Sequence, residues 1–189
     1  VEPVRFNNIL VTNSFITDLN GGGGNYASGL TSIIARANVS ISGVHVNAVV
    51  KSYDTGTEGT FQGGLIAYVT GDTSIEISNS TFSGLSADDS GSNTHNNSGF
   101  IGGLWNDGSI QKIIITGDNI TNLGEITGGS NIGHIIGIAN IADRINLTNI
   151  NIASNSDIAL VGSNNAGLTI TPSVNVDVSD NVINGSITK

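Results

Sequence analysis

The chain of 189 residues has no cysteine, no methionine, two prolines, one tryptophan and only six basic residues. Without cysteine there is no disulfide framework, no thiolate nucleophile and no cysteine metal site, so stability has to come from packing and backbone pairing. Six Lys and Arg against fifteen Asp and Glu leave a net charge of -9, which argues against tracking a phosphate backbone or an anionic membrane surface. No run of about 18 apolar residues occurs, so no segment is expected to insert in a membrane. Charged residues are 11% of the chain, against roughly 25% in ordinary globular proteins.

What remains is 38% hydrophobic residues set in Asn, Ser, Thr and Gly. Ser and Asn compete with a helical backbone for hydrogen bonds, Gly loses too much entropy in a helix, and Ile and Val favour a pleated surface. The expectation is an all-β chain, long enough for one domain with a continuous core across residues 1–189.

Two patterns recur. The first is an apolar-x-apolar pair, then Ser or Thr, then Asn, Gly or Asp: Ile9-Leu10-Val11-Thr12-Asn13, Val39-Ser40-Ile41-Ser42-Gly43, Ile75-Glu76-Ile77-Ser78-Asn79, Ile113-Ile114-Ile115-Thr116-Gly117, Ile145-Asn146-Leu147-Thr148-Asn149 and a looser Val176-Asp177-Val178-Ser179-Asp180. An alternating pair points two side chains to one face of a strand, and Asn, Gly or Asp tolerates the left-handed bend that turns a corner. Stacked, these copies place Ile41, Ile77 and Ile115 in one interior pile. They also place Thr12, Ser42, Ser78, Thr116, Thr148 and Ser179 in one hydroxyl ladder.

The second pattern is Gly29-Leu30, Gly63-Gly64-Leu65-Ile66, Gly102-Gly103-Leu104-Trp105, Gly133-His134-Ile135-Ile136 and Gly167-Leu168. From its Leu or Ile to the next strand signature the chain takes 9, 10, 9, 10 and 8 residues (Leu30 to Val39, Leu65 to Ile75, Leu104 to Ile113, Ile135 to Ile145, Leu168 to Val176). The return path is longer and variable, which predicts insertions on one edge of a stack. The fold implied is a β-solenoid, a right-handed parallel β-helix of about six coils of about 30 to 38 residues, with a β-sandwich as the alternative if the repeat is coincidental. At about 4.8 Å per coil the stack is only about 25 to 30 Å tall and exposes apolar ends. It is therefore expected to be a unit of a longer rod, or to stack on other subunits.

These residues resemble the GLUG-motif repeats of secreted bacterial proteins. The likeness rests on Gly63-Gly64-Leu65-Ile66 followed by Ile77-Ser78-Asn79-Ser80-Thr81-Phe82-Ser83-Gly84, and on Gly102-Gly103-Leu104-Trp105 followed by Ile115-Thr116-Gly117-Asp118. It departs from that pattern at Ala67 and Asn106, where a further Gly is usual. The resemblance implies a structural or adhesive module of an extracellular bacterial surface protein or filament, with other surface-protein domains or further copies as partners. It carries over no catalytic residue.

Acidic residues gather in the return connections, where Asp54, Glu58, Asp88 and Asp89, with His95, form a candidate binding edge for surface glycans or for Ca²⁺. No Asp-x-Asp-x-Asn-Gly loop accompanies them, so no cofactor is expected, and charge in exposed loops also serves solubility. Catalysis of the tailspike or polysaccharide-lyase kind would need carboxylates at set separations, and Lys51, Asp54, Glu58 and Asp88 are the only candidates. The chain is therefore read as non-enzymatic; the alternatives are a glycan-binding or glycan-cleaving β-helix and an accessory domain of a surface protease. Ile66, Trp105 and Ile136 follow the inward Leu or Ile of the second pattern. They form an exposed interface stripe if the strand alternates strictly, or enter the core if it bends there.

Overall fold

The computed structural model describes residues 2–18, 25–53, 59–88, 95–105, 112–139, 144–152, 159–162 and 170–173. Among them there are nineteen strands and no helix. In chain order these are β1 (Val4–Asn7), β2 (Leu10–Asp18), β3 (Tyr26–Ser28), β4 (Thr31–Ala35), β5 (Asn38–Ser42), β6 (His45–Ser52), β7 (Phe61–Gly63), β8 (Ile66–Thr70), β9 (Thr73–Ser78) and β10 (Thr81–Phe82). There follow β11 (Leu85–Asp88), β12 (Asn96–Ser98), β13 (Ile101–Leu104), β14 (Ile113–Asn122), β15 (Glu125–Thr127), β16 (Asn131–Ala139), β17 (Arg144–Ile152), β18 (Ala159–Val161) and β19 (Ile170–Ser173).

They form an 11-stranded and an 8-stranded sheet in which every pairing is parallel. Val39 lies over Val4, Ile75 over Val39, Ile115 over Ile75, Ile145 over Ile115 and Ile170 over Ile145. The chain thus runs through the first sheet, then the second, and returns to the first one strand further on. We call each such passage a circuit. Inward and outward residues alternate as period-2 strands require: β6 is buried at Val46, Ala48, Val50 and Ser52 and open or half-buried between them. β-Branched Ile and Val suit this pleat, and each fully buried one contributes about 1.5–3 kcal/mol.

A corner inside the first sheet sets the register. Asn8, Gly43, Asn79, Asn119 and Asn149 all have left-handed φ, between 48° and 64°, the conformation that Gly and Asn tolerate best. The Asn119 amide donates to Asn79 Oδ1 at 2.6 Å, and the Asn149 amide to Asp118 Oδ1 at 2.8 Å, so the corners are tied to one another. Just before them run Asn7, Ser42, Ser78, Asp118, Thr148 and Ser173. The Ser78 hydroxyl donates to Ser42 Oγ at 3.0 Å and Thr148 to Asp118 Oδ1 at 2.6 Å.

That ladder corrects the expected one at two described positions. Thr116 pairs with Glu76 and Asn146, two residues before the corner, and Asp118 takes its place. Thr12 pairs with Asn47 in the stretch after the corner, while Asn7 occupies the ladder. Likewise Ile115 lies over Ile75, and Gly117, not Ile115, lies over Ile77. The physical reason is that a two-residue slip preserves inside-outside parity, so aliphatic alternation alone does not choose between the registers; the left-handed Asn does. Ser179 lies outside the described residues, and Ser173 is the residue that pairs with Thr148.

In the second sheet the chain bends at Gly29-Leu30, Gly64-Leu65 and Gly99-Phe100. Its two arms come backbone to backbone: a methyl added to Gly102 would lie 2.6 Å from both the Ala67 carbonyl oxygen and the Gln62 amide nitrogen. Glycine at 102 is required by that approach. Inside the bend, Leu65, Phe100 and Ile135 are fully covered, as is Phe82, whose ring fits only because Gly64 and Gly124 present no side chain to it.

This alignment decides between the two readings of Ile66, Trp105 and Ile136: Ile66 and Ile136 enter the core at the bend, both 0% exposed, so there is no exposed stripe, and Ile101, not Trp105, pairs with them. The Gly102-Gly103 pair imitates Gly63-Gly64, but the equivalent bend is Gly99-Phe100, so Trp105 belongs four residues further along. The connection between β13 and β14 is correspondingly longer than the uniform spacing suggested. The connections from β4 to β5, β8 to β9 and β16 to β17 have two, two and four residues, whereas that from β18 to β19 has eight; the segments 19–24, 54–58, 89–94 and 153–158 fall in sequence between a strand of the first sheet and a strand of the second.

Because the two arms touch through backbone atoms that cannot move aside, Gly102→Ala is expected to lower unfolding free energy by about 1–3 kcal/mol. Ser83→Ala, at an exposed position, is expected to stay within about 0.5 kcal/mol. Urea denaturation followed by circular dichroism checks both.

Candidate binding surfaces

The two sheets are joined inside by side-chain amides. Gln62 Nε2 donates to the carbonyls of Val50 (2.7 Å) and Ala87 (2.9 Å), and Asn97 Nδ2 to those of Thr127 (2.9 Å) and Ser86 (3.1 Å). The Ser86 hydroxyl donates to Asn97 Oδ1 at 2.5 Å. Gln62 and Asn97 occupy one register position of the second sheet, and their amides reach carbonyls of the first. Buried backbone acceptors are satisfied in this way without water.

At the base of the 89–94 connection, His95 Nδ1 stands 2.7 Å from Asp88 Oδ2, with both side chains almost wholly covered. The pair ends β11 and precedes β12, so it clamps the two ends of that connection. Asp88 and His95 are therefore structural and not part of an exposed binding edge, a correction to the sequence reading. A carboxylate and an imidazole this close satisfy each other, and the loop they bracket needs a fixed base. Asp54, Glu58 and Asp89 lie outside the described residues. Among the described residues, no group of three or more His, Asp or Glu is placed to hold a metal ion. Lys51 lies 5.8 Å from the Tyr53 ring centre, in a cation–π arrangement.

His134 sits in the column of Gly29, Gly64 and Gly99, 1% exposed, and its Nδ1 has no hydrogen-bond partner. Its backbone carbonyl accepts from Asn122 Nδ2 at 2.9 Å, and Asn122 fills the position that Phe82 holds one circuit earlier. Burial pushes the His134 imidazole down to about 4. At the outer corner, bonds from the Thr148 hydroxyl and the Asn149 amide hold the Asp118 carboxyl below its ordinary value.

Two surfaces remain open. The first is the face of the first circuit that carries no further strand among the described residues: β1, β2, β3 and β4 each pair on one side only. Of the seven exposed large apolar residues among those described, four belong to it: Val4 (55%), Leu10 (71%), Phe15 (62%) and Ile33 (48%). Phe6, Ile9, Val11, Ile16 and Leu30 are only partly covered there, although their equivalents in later circuits are core.

The second is an aromatic cluster on the outside of the second sheet. Phe61 is packed parallel to Tyr26 (ring centres 5.8 Å apart), tilted against Tyr68 (4.7 Å) and edge-on to Trp105 (6.2 Å). Sequence reading missed it because its members come from different circuits and positions. The signal was the position of Gly103, whose missing side chain leaves room for the Phe61 ring.

The chain matches no protein-family model, no curated protein and no solved structure.

A neutral imidazole enclosed at position 134 makes stability depend on pH. The unfolded chain takes up this proton near 6.5 and the folded chain only near 4, so the His134 contribution is intact above about pH 6.5 and is lost as pH falls towards 4. We expect a loss of about 2 kcal/mol across that window, and a visibly flatter profile for His134→Gln, read by urea unfolding at half-unit pH steps.

Proposed function

We propose that the chain is a β-solenoid of about six coils that serves as a non-enzymatic structural and adhesive segment, stacking end to end and presenting its connections along one edge. Support for the coil comes from the all-parallel pairing of each strand with its counterpart one circuit away. Support for stacking comes from the open first circuit, which combines a full row of one-sided strands with four exposed large apolar side chains. Such an edge is a template for further pairing. Covering it with a coil of a second copy or of a longer polypeptide satisfies its backbone groups and buries Val4 with the partly covered Phe6, Ile9, Val11, Ile16 and Leu30.

An extracellular, surface-exposed setting fits a rod with no cysteine and few charges, and follows from the resemblance to GLUG-repeat surface proteins.

The test is the shape of the purified protein. Small-angle scattering is expected to show particles that lengthen with protein concentration at constant cross-section. The double variant Leu10→Lys, Phe15→Lys, both at outward positions of β2, is expected to remain monomeric with an unchanged circular dichroism spectrum. Wild-type protein that stays monomeric throughout, or a variant that lengthens equally, contradicts the proposal.

A further inference from the structure

Four of the nine aromatic residues in this aromatic-poor chain meet on the outside of the second sheet. Phe61, 7% exposed, is the floor; Tyr26 and Tyr68 are half-buried around it, and Trp105, 36% exposed, stands across it. The ring of Phe61 lies against Gly103, an outward position of β13 with no side chain. Tyr26, Phe61, Asn96 and Asn131 share one register position in successive strands, so two amides continue the column where the aromatic rings stop. Asn131 Nδ2 donates to Asn96 Oδ1 at 2.8 Å, which fixes the orientation of both.

We propose that this cluster is a binding site for a neutral saccharide. The faces of a sugar ring present C–H groups and its edges present hydroxyls. Aromatic side chains take up the first, while phenol and amide groups exchange hydrogen bonds with the second. None of the residues forming the patch carries a charge, so a cation or an anion would be desolvated there without compensation. The net charge of -9 disfavours an acidic glycan.

The size fits as well. The rings come from three successive circuits, about 10 Å of stack at about 4.8 Å per strand, a span that suits a short stretch of glycan. The site gives chemical content to the adhesive part of the proposed function. It is tested separately from stacking, since scattering of saccharide-free protein reads the one and ligand titration reads the other.

Trp105 is the sole tryptophan, so its fluorescence reports on the patch directly. Titration with cellohexaose, maltohexaose, laminarihexaose and chitohexaose is expected to give a saturating shift in emission with at least one of them. Calorimetry with that saccharide is expected to show binding weakened at least tenfold by Trp105→Ser and by Tyr68→Ala. Trp105 ends its strand and is partly exposed, so its variant tests the site even if Tyr68→Ala unfolds. The proposal is overturned if none of the four saccharides shifts the emission, or if binding survives Trp105→Ser unchanged. It is also overturned if the emission shifts on concentrating the protein alone, which would make the patch a contact with a second copy.

Discussion

Everything in this molecule depends on the register of parallel backbone pairing from one circuit to the next. A parallel sheet gives each strand evenly spaced bonds to two neighbours and no intrinsic preference for one register over another two residues away. The choice is made at the corner, where only Asn and Gly accept left-handed backbone easily. Asn8, Gly43, Asn79, Asn119 and Asn149 lock that choice by standing over one another. Once those corners align, Val39, Ile75, Ile115 and Ile145 pile up, Phe82 meets the gap at Gly64 and Gly124, and the amides of Gln62 and Asn97 reach the opposite sheet.

The same stacking explains where the chain stores its vulnerable groups. An interior lined only by aliphatics would leave carbonyls at the bends without donors, and the buried amides meet that need. Many polar residues inside are bonded, but Ser98 Oγ and His134 Nδ1 are enclosed without a partner, and burial makes the His134 ring resist protonation. Outside, among the described residues, apolar side chains face solvent in two groups, at the open first circuit and at the aromatic cluster, besides Tyr53 and Leu123. They differ in kind. The first is an unfinished core with unpaired backbone, suited to another coil; the second is a finished small patch with satisfied backbone, suited to a small ligand.

The β character and the alternation of inward residues were legible in the sequence, because period-2 patterning acts locally; the connections from the second sheet to the first, expected to be uniform, vary between two and eight residues. The register was only partly legible. Ser42 over Ser78 followed from two closely similar copies, whereas Thr116 was placed two residues from its true neighbours because Ile113-Ile114-Ile115 offers two equivalent alternations. The Gly102-Gly103 pair misdirected the placement of Trp105 for a similar reason: glycine is needed both at the bend and where the two arms touch, and its identity does not say which. Asp88 and His95 looked like loop residues by sequence neighbourhood, yet their contact across the loop base is a tertiary fact. The aromatic cluster was invisible for the same reason, since it gathers Tyr26, Phe61, Tyr68 and Trp105 from three circuits, and only Phe61 and Tyr68 lie near each other in the chain.

Paired cysteine substitutions test the register most directly, because the chain contains no cysteine of its own. The Ser42 and Ser78 hydroxyls are 3.0 Å apart, and neighbouring strands lie at about 4.8 Å, within reach of a disulfide. Ser42→Cys with Ser78→Cys is expected to close an intramolecular bond on mild oxidation of the folded protein, while Ser78→Cys with Thr116→Cys remains reduced. Bond formation in the second pair and not in the first would contradict the account.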